Sequence, residues 1–262
     1  MKNIGIFAND LPETKQVAEK LRCKLLNKGF IINNKNPEVV ISVGGDGTLL
    51  SAFHHYEKII DKVYFTAINT GHLGFYTDWS VNEMDELVES LCANNVSLND
   101  HFLLEIGIHK NNENDECYLA LNEATLQRVR STMISDVYIN KKLFEHFRGE
   151  GLCISTPTGS TAYNKSLGGG VVGSNLKVMQ LTEIASINNL VYKTLNSSMI
   201  ISSEDQLIVV PDSESKFIIT VDNLDLSAND IAYIKFSLSK KVIHFLKYKD
   251  IDFWSKVHNS FI

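Results

Sequence analysis

The regular alternation of strand-like and helix-like segments over the first hundred residues constrains the fold more than any other feature. Apolar, β-branched runs occupy 3–7, 38–43 and 63–69, and segments with helically spaced apolar residues occupy 12–28, 48–60 and 81–94. Strands that alternate with helices predict a parallel sheet covered on both faces. The loops that follow such strands gather at one edge of the sheet, where ligands bind.

The pattern changes near residues 98–102, after which strand-like runs dominate. Many of these runs alternate apolar and polar residues and are separated by turns rich in Asn, Asp, Ser and Lys. This pattern is typical of an antiparallel sandwich or a similar β-rich domain. Two helix-compatible insertions, at about 159–166 and 177–187, interrupt the strands.

The change in pattern predicts two domains. Residues 1–98 are expected to form an α/β domain with a parallel sheet, and residues 99–246 a β-rich, sandwich-like domain. The last segment, 247–262, carries apolar side chains at helical spacing and is expected to pack back on the first domain.

Composition and charge narrow the classes of partner. The 262 residues are 44% hydrophobic and 21% charged with a formal net charge of -6, and no basic stripe typical of a duplex nucleic-acid binder is present in the sequence. The four cysteines are scattered without a C-x-x-C pair, which argues against a zinc site or a disulfide framework. Without a signal peptide or an apolar run long enough for a membrane span, we predict a cytoplasmic protein.

The stretch "GGDGT", 44–48, follows the second apolar strand directly. Glycines allow positive φ angles and close approach of the backbone to a ligand. Successive backbone amides before a helix form an anion-binding site. We therefore expect phosphates to be contacted by Gly44, Gly45, Gly47 and Thr48. A carboxylate beside phosphates needs a task, such as holding Mg²⁺ or accepting a proton from an attacking hydroxyl. The alternative is a tight strand–turn–helix connection that Asp46 stabilises.

The stretch "NTGHLGF", 69–75, ends the third predicted strand and should lie at the same sheet edge. Phe75 offers a ring face on which a base could stack. We interpret His72 as a surface side chain of this loop.

Two further stretches carry polar side chains in the β-rich half. In "LNE", 121–123, a neighbouring amide and acid can clamp a ribose diol or a base edge, although exposed Asn and Glu are common. The run "TPTGSTAYNKS", 156–166, is dense in hydroxyls and turn formers, and Thr158 or Ser160 could cap a short helix. Hydroxyls, amides at a helix end and the Tyr163 ring together suggest an adenine and ribose site.

With these stretches assembled, the sequence resembles the NAD kinase family of the short bacterial type. The matching elements are "GGDGT", "NTGHLGF", "LNE" and "STPTGSTAYNKSLGG" (155–169), in the family's order and approximate spacing. "GGDGT" alone is shared with diacylglycerol and sphingosine kinases and more loosely with phosphofructokinases, whereas the "TPTGSTAYNKS" run separates NAD kinases from them.

The resemblance implies an N-terminal α/β domain, a C-terminal β-rich domain and a transferase that phosphorylates the adenosine-ribose 2′-hydroxyl of NAD to give NADP. It implies ATP as phosphoryl donor, Mg²⁺ or another divalent metal, whose ligands are not assigned, and a homodimer or homotetramer. Asp46 matches the family's proposed general base and Gly47 its phosphate-contacting neighbour. The expected NAD-binding residues are Asp46, Gly47, Phe75, Asn122, Glu123, Arg148, Glu150, Thr158, Thr161, Ala162, Tyr163, Asn164, Lys165, Ser166 and Ala185.

The sequence departs from the family pattern at two points and leaves two other classes of protein open. Glu150 stands where the family usually has Asp, and Asn223 stands at a position that varies among relatives and receives no role. No Lys or Arg lies near Gly44–Gly47 to act as a cationic finger. A lipid kinase would be expected to show a membrane-facing patch, and a non-catalytic dinucleotide sensor would not require Asp46.

Overall fold

A computed structural model of the chain describes residues 1–71, 74–93, 96–111, 114–128, 131–212, 217–228 and 230–262, without the side chains of residues 227 and 228. These residues divide into two compact units. Unit 1 comprises residues 1–101 and 241–262, and unit 2 comprises residues 102–240.

The described helices and strands follow the chain in one order. The α-helices are α1 (Pro12–Asn27), α2 (Asp46–Tyr56), α3 (Met84–Ala93), α4 (Tyr163–Ser166) and α5 (Phe253–Phe261), and short 3₁₀ helices occupy Glu57–Lys62, Val81–Glu83 and Thr158–Thr161. The strands are β1 (Asn3–Ala8), β2 (Ile31–Ile32), β3 (Val39–Val43), β4 (Tyr64–Asn69), β5 (Trp79–Ser80), β6 (Ser97–Lys110), β7 (Glu116–Ala120), β8 (Glu123–Arg128), β9 (Met133–Ile139), β10 (Lys142–Gly149), β11 (Gly151–Ser155), β12 (Val178–Ile184), β13 (Met199–Ser202), β14 (Leu207–Pro211), β15 (Phe217–Val221), β16 (Leu224–Ala228) and β17 (Ile231–Lys247).

Unit 1 contains the predicted parallel sheet. Its strands run in the order β2-β1-β3-β4, all parallel, with β5 and the end of β17 each parallel to β4. Every residue of β3 is buried, as expected of a parallel strand covered on both faces. Leu21 and Leu25 of α1 and Leu87 of α3 pack in one core with Ile41 and Ile68 of the sheet. The α/β prediction is confirmed.

Unit 2 contains the predicted antiparallel β structure. One sheet has the strand order β13-β12-β11-β8-β15-β16, and β9 lies between β10 and β14 in another, whose β14 pairs with β17. A single hydrophobic core joins Leu126 and Ile154 of the first sheet to Val137, Val209 and Phe236 of the second. Burial of both inner faces in one core is the arrangement of a sandwich.

The prediction of a helix at 177–187 is wrong, because residues 178–184 of this segment form the strand β12. The strand lies between β11 and β13, and its polar residues Gln180 and Thr182 are buried with hydrogen bonds to Gly170 and to Asn164. A strand buried on both faces lacks the alternation that would have distinguished it from a helix. The other insertion, at 159–166, is helical as predicted, split between the 3₁₀ turn at Thr158–Thr161 and α4.

Two strand-like runs also divide differently from the prediction. The run 116–127 is interrupted by a turn at 121–122, which places Asn122 before β8 rather than inside a strand. The runs 231–239 and 241–248 form a single strand, β17, that continues through Lys240 and Lys241. Among the described residues, no helix is long and apolar enough to cross a membrane.

Candidate active site

The loop Gly44–Gly47 leaves β3 at the edge of the parallel sheet. Val43 pairs with Ile68 of β4, and the Gly44 amide donates to the Ile68 carbonyl at 2.9 Å, so the stretches 44–48 and 69–75 begin side by side. The prediction that both lie at one sheet edge is confirmed. Gly44 has a φ of 147°, and a β-carbon there would lie 2.8 Å from the Thr48 Cβ, so both backbone and space require glycine.

The Asp46 carboxylate is fixed by two backbone amides of unit 1. Its Oδ2 accepts from the Phe75 amide at 2.7 Å, and its Oδ1 accepts from the Tyr76 amide at 3.0 Å. A β-carbon on Gly74 would lie 2.6 Å from the Asp46 Cγ, so glycine is needed for this approach. Because a carboxylate offers about four acceptor positions, Asp46 still has acceptor capacity on both oxygens.

The second loop is held by buried polar side chains. The Asn69 amide nitrogen donates to the Thr77 hydroxyl at 2.9 Å, and that hydroxyl also accepts from the Gly74 amide at 3.0 Å. The Gly71 amide donates to the Asn69 side-chain oxygen at 2.7 Å. Asn69 and Thr77 therefore stabilise the loop on both sides of His72, which lies outside the described residues.

The Phe75 ring lies beside the C-terminal helix. Its centroid is 6.2 Å from that of Phe253 and 5.7 Å from that of Phe261. Phe75 is half-buried in this cluster. Its expected contact with a nucleotide base stays a prediction.

In unit 2, the turn at Leu121–Glu123 is organised by Asp222. The carboxylate of Asp222 accepts from the amides of Leu121 at 2.8 Å, Asn122 at 2.7 Å and Glu123 at 3.2 Å. Three consecutive amides bound by one carboxylate hold the turn in a single conformation. Asn122 and Glu123 are both buried at this turn.

Glu123 is a buried carboxyl with unsatisfied hydrogen-bonding capacity. Its residue surface is 8% exposed, and its Oε2 has no hydrogen-bond partner among the described residues. Burial, reinforced by the negative charge of Asp222, raises the pKa of Glu123 to about 8. Glu123 is therefore protonated at neutral pH and can donate a hydrogen bond to a ligand.

The run "TPTG" packs directly on the same turn. The hydroxyls of Thr156 and Thr158 both donate to the Leu121 carbonyl, at 2.6 and 3.2 Å, and the Thr156 amide donates to the Asn122 carbonyl at 2.8 Å. A β-carbon on Gly159 would lie 2.7 Å from the Asn122 Cα, so the glycine is needed for this packing. The structure thus brings "LNE" and "TPTG" into one site of unit 2.

The predicted residues that follow this run, 161–166, differ in exposure. Tyr163 of α4 is 43% exposed, and Ser166 is exposed with its hydroxyl donating to the Tyr163 carbonyl at 2.7 Å. Asn164 is fully buried, where its side-chain oxygen accepts from Thr182 at 2.7 Å and its amide nitrogen has no partner among the described residues. The remaining predicted residues of this segment are buried Thr161 and half-buried Ala162 and Lys165.

Arg148, Glu150 and Ala185 lie at the other end of β11. Gly151 pairs with Ile184 at that end of β11, whereas Ser155, at the end beside the "TPTG" run, pairs with Gln180. The length of β11, about 13 Å, therefore separates these three residues from the "TPTG" run. Glu150 and Ala185 line a cavity of about 480 Å³, and the Arg148 guanidinium lies 3.9 Å above the Tyr192 ring. Within this chain, the structure does not bring these three residues to the "LNE" turn.

Three residues of these sites were not predicted from the sequence as functional. Thr77 fixes the loop at 74–77, Asp222 fixes the "LNE" turn, and Lys256 of α5 contacts the Phe75 carbonyl. The sequence around Asp222 does not reveal which amides its carboxylate binds, because those amides lie about 100 residues earlier. Across the described residues, no group of three or more His, Cys, Asp or Glu side chains converges as a metal site.

An α/β unit with a glycine-flanked carboxylate, together with a β-sandwich unit carrying hydroxyl- and amide-rich turns, defines a two-domain kinase that acts on a nucleotide. Family models for the ATP-NAD kinase N-terminal and C-terminal domains match residues 8–96 and 114–248. The chain belongs to the ATP-NAD kinase family.

Similar proteins cover nearly the whole chain. The NAD kinase of Latilactobacillus sakei is 47% identical over 99% of this chain and 97% of its own length, and that of Enterococcus faecalis is 45% identical over 99% and 98%. Yeast NADH kinase, solved in complex with NADH, is 17% identical with a TM-score of 0.86, covering 98% of this chain and 86% of its own. An NAD kinase from Archaeoglobus fulgidus in complex with ATP is 21% identical with a TM-score of 0.73, covering 100% and 97%. The two solved structures share the two-domain fold.

Proposed function

We propose that this protein is an NAD kinase that transfers the γ-phosphoryl group of ATP to the adenosine-ribose 2′-hydroxyl of NAD and so produces NADP. The observation that carries the catalytic part of the proposal is the Asp46 carboxylate, held by the Phe75 and Tyr76 amides at the end of β3. The similar NAD kinases of Latilactobacillus sakei and Enterococcus faecalis support the choice of acceptor.

The chemical step balances as a simple displacement. Asp46 accepts the proton of the 2′-hydroxyl as the new oxygen–phosphorus bond forms, and the bond between the γ-phosphorus and the β,γ-bridging oxygen breaks to release ADP. Phosphoryl transfer depends mainly on positioning and charge neutralisation, so a base whose orientation is fixed before the substrate arrives suits this step. The amides of Gly44–Gly47, at the start of α2, are proposed to contact the phosphates.

The binding of NAD is proposed to depend on unit 2. Asn122 and a protonated Glu123 provide amide and hydroxyl donors for a ribose diol or for the nicotinamide end, and Thr158 and Tyr163 lie in the segment that packs on their turn. The other proposed NAD contacts are Asp46, Gly47, Phe75, Arg148, Glu150, Thr161, Ala162, Asn164, Lys165, Ser166 and Ala185.

A divalent metal bound to the ATP phosphates is compatible with this site. Magnesium is usually bound through one or two carboxylates plus substrate phosphates and waters, so a cage of protein ligands is not needed. Because Asp46 acts as the base in the proposed step, the metal would be held mainly by the ATP phosphates and water. When bound, the metal neutralises negative charge on the phosphates.

The proposal is tested with purified protein, ATP, Mg²⁺ and NAD, with product detected by an NADP-specific dehydrogenase. Wild-type protein should form NADP at a rate proportional to enzyme concentration, and the Asp46→Asn variant should form it about 10²- to 10⁴-fold more slowly. Parallel reactions with polyphosphate in place of ATP, and with NADH in place of NAD, identify the preferred donor and acceptor. No NADP above a blank without enzyme would refute the proposal.

Measurements of ATP consumption and of NAD binding separate the two competing classes. A lipid kinase would consume ATP only when diacylglycerol or sphingosine vesicles are supplied. A dinucleotide sensor would bind NAD, measured by calorimetry, without consuming ATP.

The proposal also places the protein in the cytoplasm, where ATP and NAD are available, as a homodimer or homotetramer. Leu190 and Val191 of unit 2 are 100% and 78% exposed, and exposed apolar side chains of this kind suit an interface between copies. Light scattering coupled to size-exclusion chromatography measures the mass of the assembly, and a monomer at micromolar concentration would refute this part.

A further inference from the structure

The C-terminal helix α5 contacts the segment that orients Asp46. Phe253 and Phe261, at the two ends of α5, both lie beside the Phe75 ring. The helix begins at a fixed point, because the Asp252 carboxylate caps it by accepting from the Trp254 amide at 2.8 Å and the Ser255 amide at 3.0 Å. The last residues of the chain are therefore attached to unit 1 at the loop that binds the carboxylate.

Lys256 makes the polar contact between α5 and this loop. Its ammonium group donates to the Phe75 carbonyl at 2.7 Å and to the Asp78 carboxylate at 2.6 Å. The Lys256 and Asp78 side chains are only 12% and 23% exposed, so the pair is largely shielded from water. A charge-assisted hydrogen bond in such surroundings is stronger than one between neutral, solvated groups.

Lys256 and Asp46 bind opposite ends of one peptide group. The Phe75 carbonyl that accepts from Lys256 and the Tyr76 amide that donates to Asp46 belong to the same planar unit. A cation at the oxygen polarises the peptide group and strengthens its N–H as a donor. It also stops this peptide group from rotating, which keeps the amide directed at the Asp46 Oδ1.

We propose that Lys256 is a positioning residue for Asp46: through the Phe75–Tyr76 peptide group, α5 holds the carboxylate in the orientation needed to accept the substrate proton. The inference rests on the proposed function, because it assigns Lys256 a part in the step that Asp46 performs. Lys256 itself touches neither substrate in this scheme. Its removal should therefore change turnover and largely preserve NAD affinity, because most of the proposed NAD contacts lie in unit 2.

The test compares Lys256→Met with Lys256→Arg and with a matched control, Lys28→Met. Lys28 also forms an ion pair within unit 1, with Glu89 at 2.5 Å, but it joins the C-cap of α1 to α3 and does not contact the 74–78 segment. Steady-state kinetics should show kcat reduced by about 10- to 100-fold in Lys256→Met, the range expected when a catalytic group is misplaced by about 1 Å, with KM for NAD within twofold of wild type. Lys256→Arg should recover most of the loss, and Lys28→Met should match wild type.

Two further measurements keep the proposal separate from folding. The double variant Lys256→Met/Asp78→Asn removes the unpaired charge left on Asp78, and it should fold with the wild-type melting temperature while its kcat stays low. Hydrogen exchange should show faster exchange of the Phe75 and Tyr76 amides in Lys256→Met than in wild type or Lys28→Met.

The outcomes distinguish the two proposals. Wild-type protein that makes no NADP overturns the proposed function. Active wild-type protein together with a normal kcat in Lys256→Met, or a kcat that the double variant restores, overturns only the positioning role of Lys256.

Discussion

Replacing Glu123 by glutamine should stabilise the protein at alkaline pH. The wild-type carboxyl is buried beside Asp222, which raises its pKa to about 8 from the ordinary value of 4.5. Folded protein therefore holds a proton that the unfolded chain releases between these two pH values. Glutamine has nearly the same shape and no charge, so the variant lacks this pH dependence.

The magnitude follows from proton linkage. The free energy of unfolding is unaffected by Glu123 below pH 4.5, falls by about 1.4 kcal/mol per pH unit as the pH rises, and levels off above pH 8. Because the slope decreases near the folded-state pKa, the loss between pH 6 and pH 8 is about 2 kcal/mol. The stability of Glu123→Gln relative to wild type should therefore grow by that amount over the same interval.

The assay is denaturant unfolding of both proteins at pH 6, 7 and 8, followed by circular dichroism. Glu145 also has a raised pKa, of about 7, because it is partly buried next to Glu183, and its effect is present in both proteins. The difference between the two unfolding free energies thus isolates Glu123. A difference that stays constant from pH 6 to pH 8 would refute the assignment of a buried, protonated Glu123.

The other predictions concern the groups that hold the two sites. Asp46→Asn should lower kcat by about 10²- to 10⁴-fold with NAD affinity largely preserved, as measured by steady-state kinetics and calorimetry, and a kcat near wild type would rule out Asp46 as the base. Gly74→Ala should lower kcat by at least tenfold because its methyl group would occupy the position of the Asp46 carboxylate, and unchanged turnover would contradict this approach. Asp222→Asn should shift the pKa of Glu123 downward because the neighbouring negative charge is lost, and an unshifted carbon-13 titration of Glu123 would contradict the coupling.

Much of unit 1 could be predicted because its signals are local. The buried strand β3, the glycines after it and the helix that begins at Asp46 follow one another in the chain, and the parallel arrangement puts the next loop at the same edge. In unit 2 the strand β12 was predicted as a helix, because its two faces are both buried and its periodicity carries no information. The merging of two runs into β17 likewise depends on pairing partners distant in the sequence.

The sequence alone determined the two-domain class and the residue types of the loop 44–47. The backbone conformation of this loop requires glycine, and the proposed proton transfer requires a carboxylate. Only the tertiary structure decided how these groups are held. Asp46 is bound by amides about 30 residues later, Glu123 is made neutral by burial beside a residue about 100 positions away, and Lys256 reaches the Phe75 carbonyl about 180 positions back. Protonation and orientation depend on burial and on neighbouring charges, and these neighbours come together only when distant segments fold into one unit.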